Sequence, residues 1–188
     1  MKRILFILFL IIPAISFATD KAYIVNVLIF SHITPETISA EQWPTIQTIV
    51  PASDTNMPAR SPSQLTTFKK QIANNPQYQI LFDGKWTMSW PNDTTIMTLP
   101  INNHANLTGN IQISLTHYFN VHTDLYLTEA TSTLRHLERG DYFDRFNQSS
   151  FTFQLLQNRR MRSNELNYLE RPLLGMLIKI VPAPNTNA

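Results

Sequence analysis

RRMRSNELNYLERPLLGMLIKIV, residues 159–181, is the stretch that decides how the chain is read. It opens on Arg159, Arg160 and Arg162 and closes on the apolar run Met176, Leu177, Ile178, Lys179, Ile180, Val181. The closing run is short, β-branched and bounded by Gly175 and Pro182, the pattern of a buried strand. Pro172 has no N–H and pushes Arg171 out of the helical region, so a turn separates the run from the polar segment before it. A basic strand, a turn and a core strand therefore follow one another. On an extended strand Arg160 and Arg162 point to one face and Arg159 to the other.

Upstream, residues 150–157 place Phe151, Phe153 and Leu155 at alternate positions and lead directly into the arginines. From 107 to 129 one parity is kept: Ile111, Ile113, Leu115, His117, Phe119, Val121, Leu125 and Leu127 are all odd, and the even positions are mostly polar. No Gly or Pro interrupts residues 110–129, which predicts one long, half-buried antiparallel strand. Residues 130–148 mix charges around Gly140 and fit a short helix or a solvated loop. Residues 23–30, YIVNVLIF, are apolar on both faces apart from Asn26 and read as a central strand. Residues 61–75 predict the principal helix, with Ser61 as cap, Pro62 at the first helical position, Gln64 completing a capping box, and Leu65, Phe68 and Ile72 as one buried stripe. A strand at 78–82 follows, giving a β-α-β unit. Asp83-Gly84 predicts a hairpin turn to a strand at 85–90, and 95–99 forms a further short strand. The fold class expected is α+β: a mainly antiparallel sheet of about six to eight strands with one helix on a face.

The N-terminus has the marks of a secretory signal. Lys2 and Arg3 precede an apolar run at 4–12, Pro13 breaks it, and Ser16-Phe17-Ala18 is a small-x-small cleavage site. Cleavage after Ala18 would leave one domain at 19–181, with a Pro-rich loop at 33–60 and a flexible tail at 182–188. There is no cysteine, hence no disulfide, thiolate metal site or lipobox. Losing Lys2 and Arg3 from 15 basic residues leaves 13, equal to the 13 acidic ones. Such a neutral chain lacks the global basic footprint of a nucleic-acid binder.

For the local chemistry, two readings stand side by side. Arg160 and Arg162 can grip carboxylates, because a guanidinium fork matches carboxylate geometry. Alternatively they pair internally, as Arg159 is expected to do with Glu165. Trp86 and Trp90, with Met88 between them, form either a platform for sugar faces or part of the core. Trp43, in the Pro-rich loop, is expected to be exposed. The histidines show no chelating spacing, so no metal or other cofactor is expected. Glu165 and Glu170 are the only carboxylates beside the arginines that could serve a glycan hydrolase, and no elbow motif or cysteine nucleophile accompanies them.

Arg159-Arg160-Met161-Arg162-Ser163, Glu165-Leu166, Tyr168-Leu169, Pro172 and Gly175 ahead of an apolar strand resemble the signature of the CsiV family. The resemblance extends to residues 25–30, to Glu41 and Trp43, and to residues 78–86. The chain departs from the family pattern at Asn167, at Glu170-Arg171 and at His117-Tyr118-Phe119-Asn120, while the arginine cluster is intact. The resemblance implies a periplasmic, non-catalytic peptidoglycan-binding protein that supports wall synthesis and cell shape, together with a partner from the synthesis machinery. The candidate ligand-binding residues compatible with it are Arg160, Arg162, Tyr168, Trp43, Trp86 and Trp90, with Arg159 and Glu165 as a structural pair. A protein–protein adaptor is the alternative.

Overall fold

Two apolar strands, both long enough to cross a sheet and too apolar to lie at an edge, fix the architecture. The computed structural model describes residues 22–41, 43–46, 49 and 59–184, so the expected signal segment, its expected cleavage site and residues 185–188 lie outside the described residues. β1 (Ala22–Ser31) pairs antiparallel with β8 (Leu174–Pro182) on one side and with β2 (Gln79–Ser89) on the other. β7 (Leu166–Arg171) completes the sheet as β2-β1-β8-β7. Both strands expected to be central are central.

The strands do not form one sheet. β3 (Ile96–Asn102), β4 (Leu107–Leu115), β5 (Phe119–Ala130) and β6 (Ser150–Met161) make a second antiparallel sheet in that order. One apolar cluster joins the two, with Val25, Val27 and Ile29 of β1 and Ile178 and Ile180 of β8 sharing it with Ile111, Ile113, Val121, Leu125 and Leu155. The fold remains α+β, with eight strands in two layers and little helix.

β1 is buried on both faces because its even side is covered too. Leu28 and Phe30 are buried, as is Leu65 from the segment leading into α2 (Thr66–Ala73). The buried Asn26 anchors that segment: its Oδ1 accepts the Gln64 N–H at 2.9 Å. Helix α2 begins later than expected. Ser61 is no cap, because its N–H and C=O bridge to Lys85 at 3.1 and 2.7 Å and extend the edge of β2. No helix residue is buried, and Phe68 is 38% exposed, so the expected stripe is only partly covered.

Three further expectations are corrected. β1 and β2 run antiparallel, so strand–helix–strand is not a parallel unit. Asp83-Gly84 is not a turn, and β2 runs straight through it. The Asp83 carboxylate accepts the Ser63 N–H at 2.9 Å and a 2.6 Å contact from Lys69, which holds α2 to the strand. Gly84 lies on the core face beneath Phe82 and Trp86, whose rings stack at 5.9 Å; a Cβ there would sit 2.8 Å from each. Residues 107–129 are a hairpin, with Leu115 paired to Phe119 around a turn at 116–118. Facing residues in this register have the same parity, so the odd-position alternation passes through the turn unbroken and looks like one strand.

The Pro-rich connection contains a helical turn, α1 (Pro35–Ile38), capped reciprocally by Thr34 and Thr37. The mixed-charge segment contains α3 (Thr131–Leu137) and a 3-10 turn at Phe143–Arg145.

Gly84→Ala should cost about 1–3 kcal/mol, read from urea unfolding, because two packed rings must give way. Burial pushes the Asp83 carboxyl up, but the hydrogen bonds from Lys69 and Ser63 outweigh it, and its pKa lies below the ordinary value. Its contribution to stability is therefore fully present above about pH 4 and is lost as pH falls below that. The stability gap between wild type and Asp83→Asn should shrink when urea titrations at neutral pH are repeated at about pH 3.

Candidate functional site

Odd positions of β4, β5 and β6 fill the core, so the even positions cover the outer face of the second sheet. Register places Ile96, Ser114, Asn120 and Arg160 in one row across four strands. Thr98, Gln112, His122 and Asn158 form the next. All of these residues except Thr98 line an open depression of about 490 Å³, with Arg160 at one end and Ile96, 61% exposed, at the other. His122 Nδ1 lies 2.8 Å from Asn158 Oδ1. Further along, Tyr126 and Gln154 donate to Asp124 at 2.9 and 2.6 Å. The floor thus offers amides, a hydroxyl and an imidazole, all of them hydrogen-bonding groups.

The arginines divide by parity. The Arg160 guanidinium lies 3.8 Å from the ring centroid of Tyr118, and that of Arg162 5.8 Å from the same centroid. Tyr118 sits in the β4–β5 turn, where its carbonyl accepts the Thr116 N–H at 3.1 Å. The ion pairs of the described residues join Lys69–Asp83, Arg135–Asp144, Arg139–Glu36 and Arg171–Glu41. Arg159, Arg160 and Arg162 belong to none of them.

The expected Arg159–Glu165 pair does not form. Glu165 accepts the backbone N–H of Arg162 at 3.1 Å, across the short turn from β6 to β7. Arg159 reaches sideways instead, to the Tyr168 carbonyl at 3.4 Å, and Gln157 donates to the Glu170 carbonyl at 2.6 Å. Two odd positions of one edge strand therefore satisfy carbonyls on the edge strand of the other sheet.

The tryptophans form no platform. Trp43, Trp86 and Trp90 are 4%, 1% and 6% exposed and belong to the shared core. The Trp90 indole donates to the Ile113 carbonyl at 3.1 Å and that of Trp43 to the Ile38 carbonyl at 2.9 Å. Trp43 also packs edge-on against Phe153, so the loop expected to expose it instead closes one end of the core. Sugar faces cannot reach these rings.

Tyr168 is exposed, but on the opposite side of the molecule. It stacks on Phe30 at 6.1 Å in an open apolar hollow of about 380 Å³ between the first sheet and α2, with Tyr78, Phe68, Ile72 and Leu177. Burial, then the nearby Glu170, pushes its phenol pKa upward. The structure brings Arg160 and Arg162 together and separates them from Tyr168. Sequence reasoning missed Tyr118 and the polar rows; the even positions of 107–129 carried the signal, but joining them to Asn158 and Arg160 needs the hairpin register.

Among the described residues no three His, Asp or Glu side chains gather as a metal site, and no helix is long and apolar enough to cross a membrane. Arg159→Ala and Gln157→Leu should each lower unfolding stability by about 0.5–1.5 kcal/mol in urea titrations, whereas Arg160→Ala should leave it within about 0.5 kcal/mol of wild type.

The family model described as peptidoglycan-binding protein, CsiV, matches residues 53–183, which include β2 to β8, the polar rows and all three arginines. No curated protein and no solved structure matches the chain. Because the family match runs through both sheets and over most of the chain, the protein belongs to the CsiV family, named for peptidoglycan binding.

Proposed function

We propose that this protein is exported to the periplasm and binds peptidoglycan without cleaving it, as a support for wall synthesis and cell shape. The observation that carries this reading is a pair of exposed guanidiniums, in no ion pair of the described residues, at the end of an open polar sheet face. Family membership supplies the polymer. Arginine forks suit its carboxylates, and the amide rows suit its hydroxyl and peptide groups. A non-catalytic role is supported by the state of Glu165, whose carboxylate holds the backbone of a turn. Glycan hydrolysis ordinarily needs two carboxylates flanking the scissile bond.

A second role, as an adaptor for a protein of the wall-synthesis machinery, is favoured by the hollow around Phe68 and Tyr168. It is apolar, exposed and on the side of the molecule away from the arginines. One face for polymer and another for protein is compatible with a single scaffold.

Purified sacculi should carry the protein into the pellet, with release on raising salt, since exposed charge pairs are screened. Arg160→Ala combined with Arg162→Ala should leave most of it in the supernatant, and no soluble muropeptides should appear. Phe68→Ser should pellet like wild type. An unaffected double arginine variant would contradict the assignment of the face.

A further inference from the structure

Resting on that reading, we infer that Arg160, Arg162 and Tyr118 form a carboxylate-reading fork whose ligand is the peptide portion of the polymer: a short peptide carrying a free carboxylate. Tyr118 is the positioning residue of the fork.

Both guanidiniums lie over one ring, at 3.8 and 5.8 Å from its centroid. An exposed arginine normally samples many rotamers, and ordering it on binding reduces affinity. Stacking on an aromatic face restricts that freedom before the ligand arrives while leaving the N–H edges free to donate. The tyrosine is itself placed by the tight β4–β5 turn, so the fork is held on two covalently short elements, a hairpin tip and a strand end.

Neither guanidinium of the fork takes part in a salt bridge of the described residues. Glu165, close in sequence, has its Oε2 on the Arg162 backbone N–H, and Arg159 turns away to the Tyr168 carbonyl. Two cations over one ring, in no ion pair of the described residues, ask for an anion. An uncharged glycan supplies none, whereas each peptide stem ends in one or more carboxylates. The adjoining floor fits the rest of such a ligand. Asn120, Gln112 and the His122–Asn158 pair hydrogen-bond amide groups, and exposed Ile96 receives a small apolar side chain at the far end.

Calorimetry on the purified full chain tests this with three probes: a free tetrapeptide stem, the same peptide with its carboxyls amidated, and a chito-oligosaccharide. The stem should bind, the amidated peptide at least about tenfold more weakly, and the oligosaccharide not measurably. Tyr118→Phe should bind within about twofold of wild type, since the ring face is kept. Tyr118→Ala should bind about fivefold more weakly at an unchanged unfolding midpoint, and Arg160→Lys should lose most of the preference for the free carboxyl. Equal binding of the free and amidated peptides, or wild-type affinity in Tyr118→Ala, would overturn the fork. If the protein pellets with sacculi but ignores the free stem, the fork is wrong and polymer binding stands. If it takes the stem but not sacculi, polymer binding fails and the fork survives.

Discussion

The structure depends on the antiparallel pairing of β1 with β8, which sets Val27 opposite Ile178 and Val25 opposite Ile180. Each pair buries two branched side chains on one face, and fully burying such a chain is worth about 1.5–3 kcal/mol. With no disulfide to restrain the chain, this apolar seam between its two ends brings the termini of the domain together. Its odd face creates the surface on which the second sheet packs. Its even face needs a cover, which Leu65 and α2 provide, tied down by Asn26 and Asp83.

From that seam the position of the candidate site follows by strand parity. β6 carries three kinds of residue in one run: Leu155 and Met161 in the core, Gln157 and Arg159 bonded to the neighbouring sheet edge, and Asn158 and Arg160 outward. The edge contacts matter because β6 and β7 are both edge strands, and unpaired edge groups invite non-native pairing. A side-chain seal leaves the outer face unobstructed. The face proposed for binding and the edge seal are thus products of the same strand, and a one-residue slip of β6 would exchange them.

Much of this was legible in the chain. The two-sided burial of β1, the core strand expected at 176–181 and the facing of Phe151, Phe153 and Leu155 followed from composition and alternation. The opposition of Arg159 to Arg160 and Arg162 also followed. What failed did so for identifiable reasons. Asp83-Gly84 has turn chemistry, but here the carboxylate is needed by Ser63 and Lys69, and the glycine makes room for two rings. The β4–β5 hairpin preserves parity through its turn, which hid both the second sheet and the placement of Tyr118. Trp43 lies in a segment whose composition suggests exposure, yet an indole that can reach a carbonyl and an aromatic neighbour is more stable inside.

Polymer recognition is proposed for the outward face of the β3–β6 sheet. The most direct test is nuclear magnetic resonance of the isotope-labelled protein during titration with soluble peptidoglycan fragments. The account predicts that shifts concentrate at the Arg160 and Arg162 side-chain N–H groups, the Asn120, Gln112 and Asn158 amides and the β4–β5 turn. Shifts confined to the hollow around Phe68, Tyr78 and Tyr168, with the arginine signals unmoved, would contradict it.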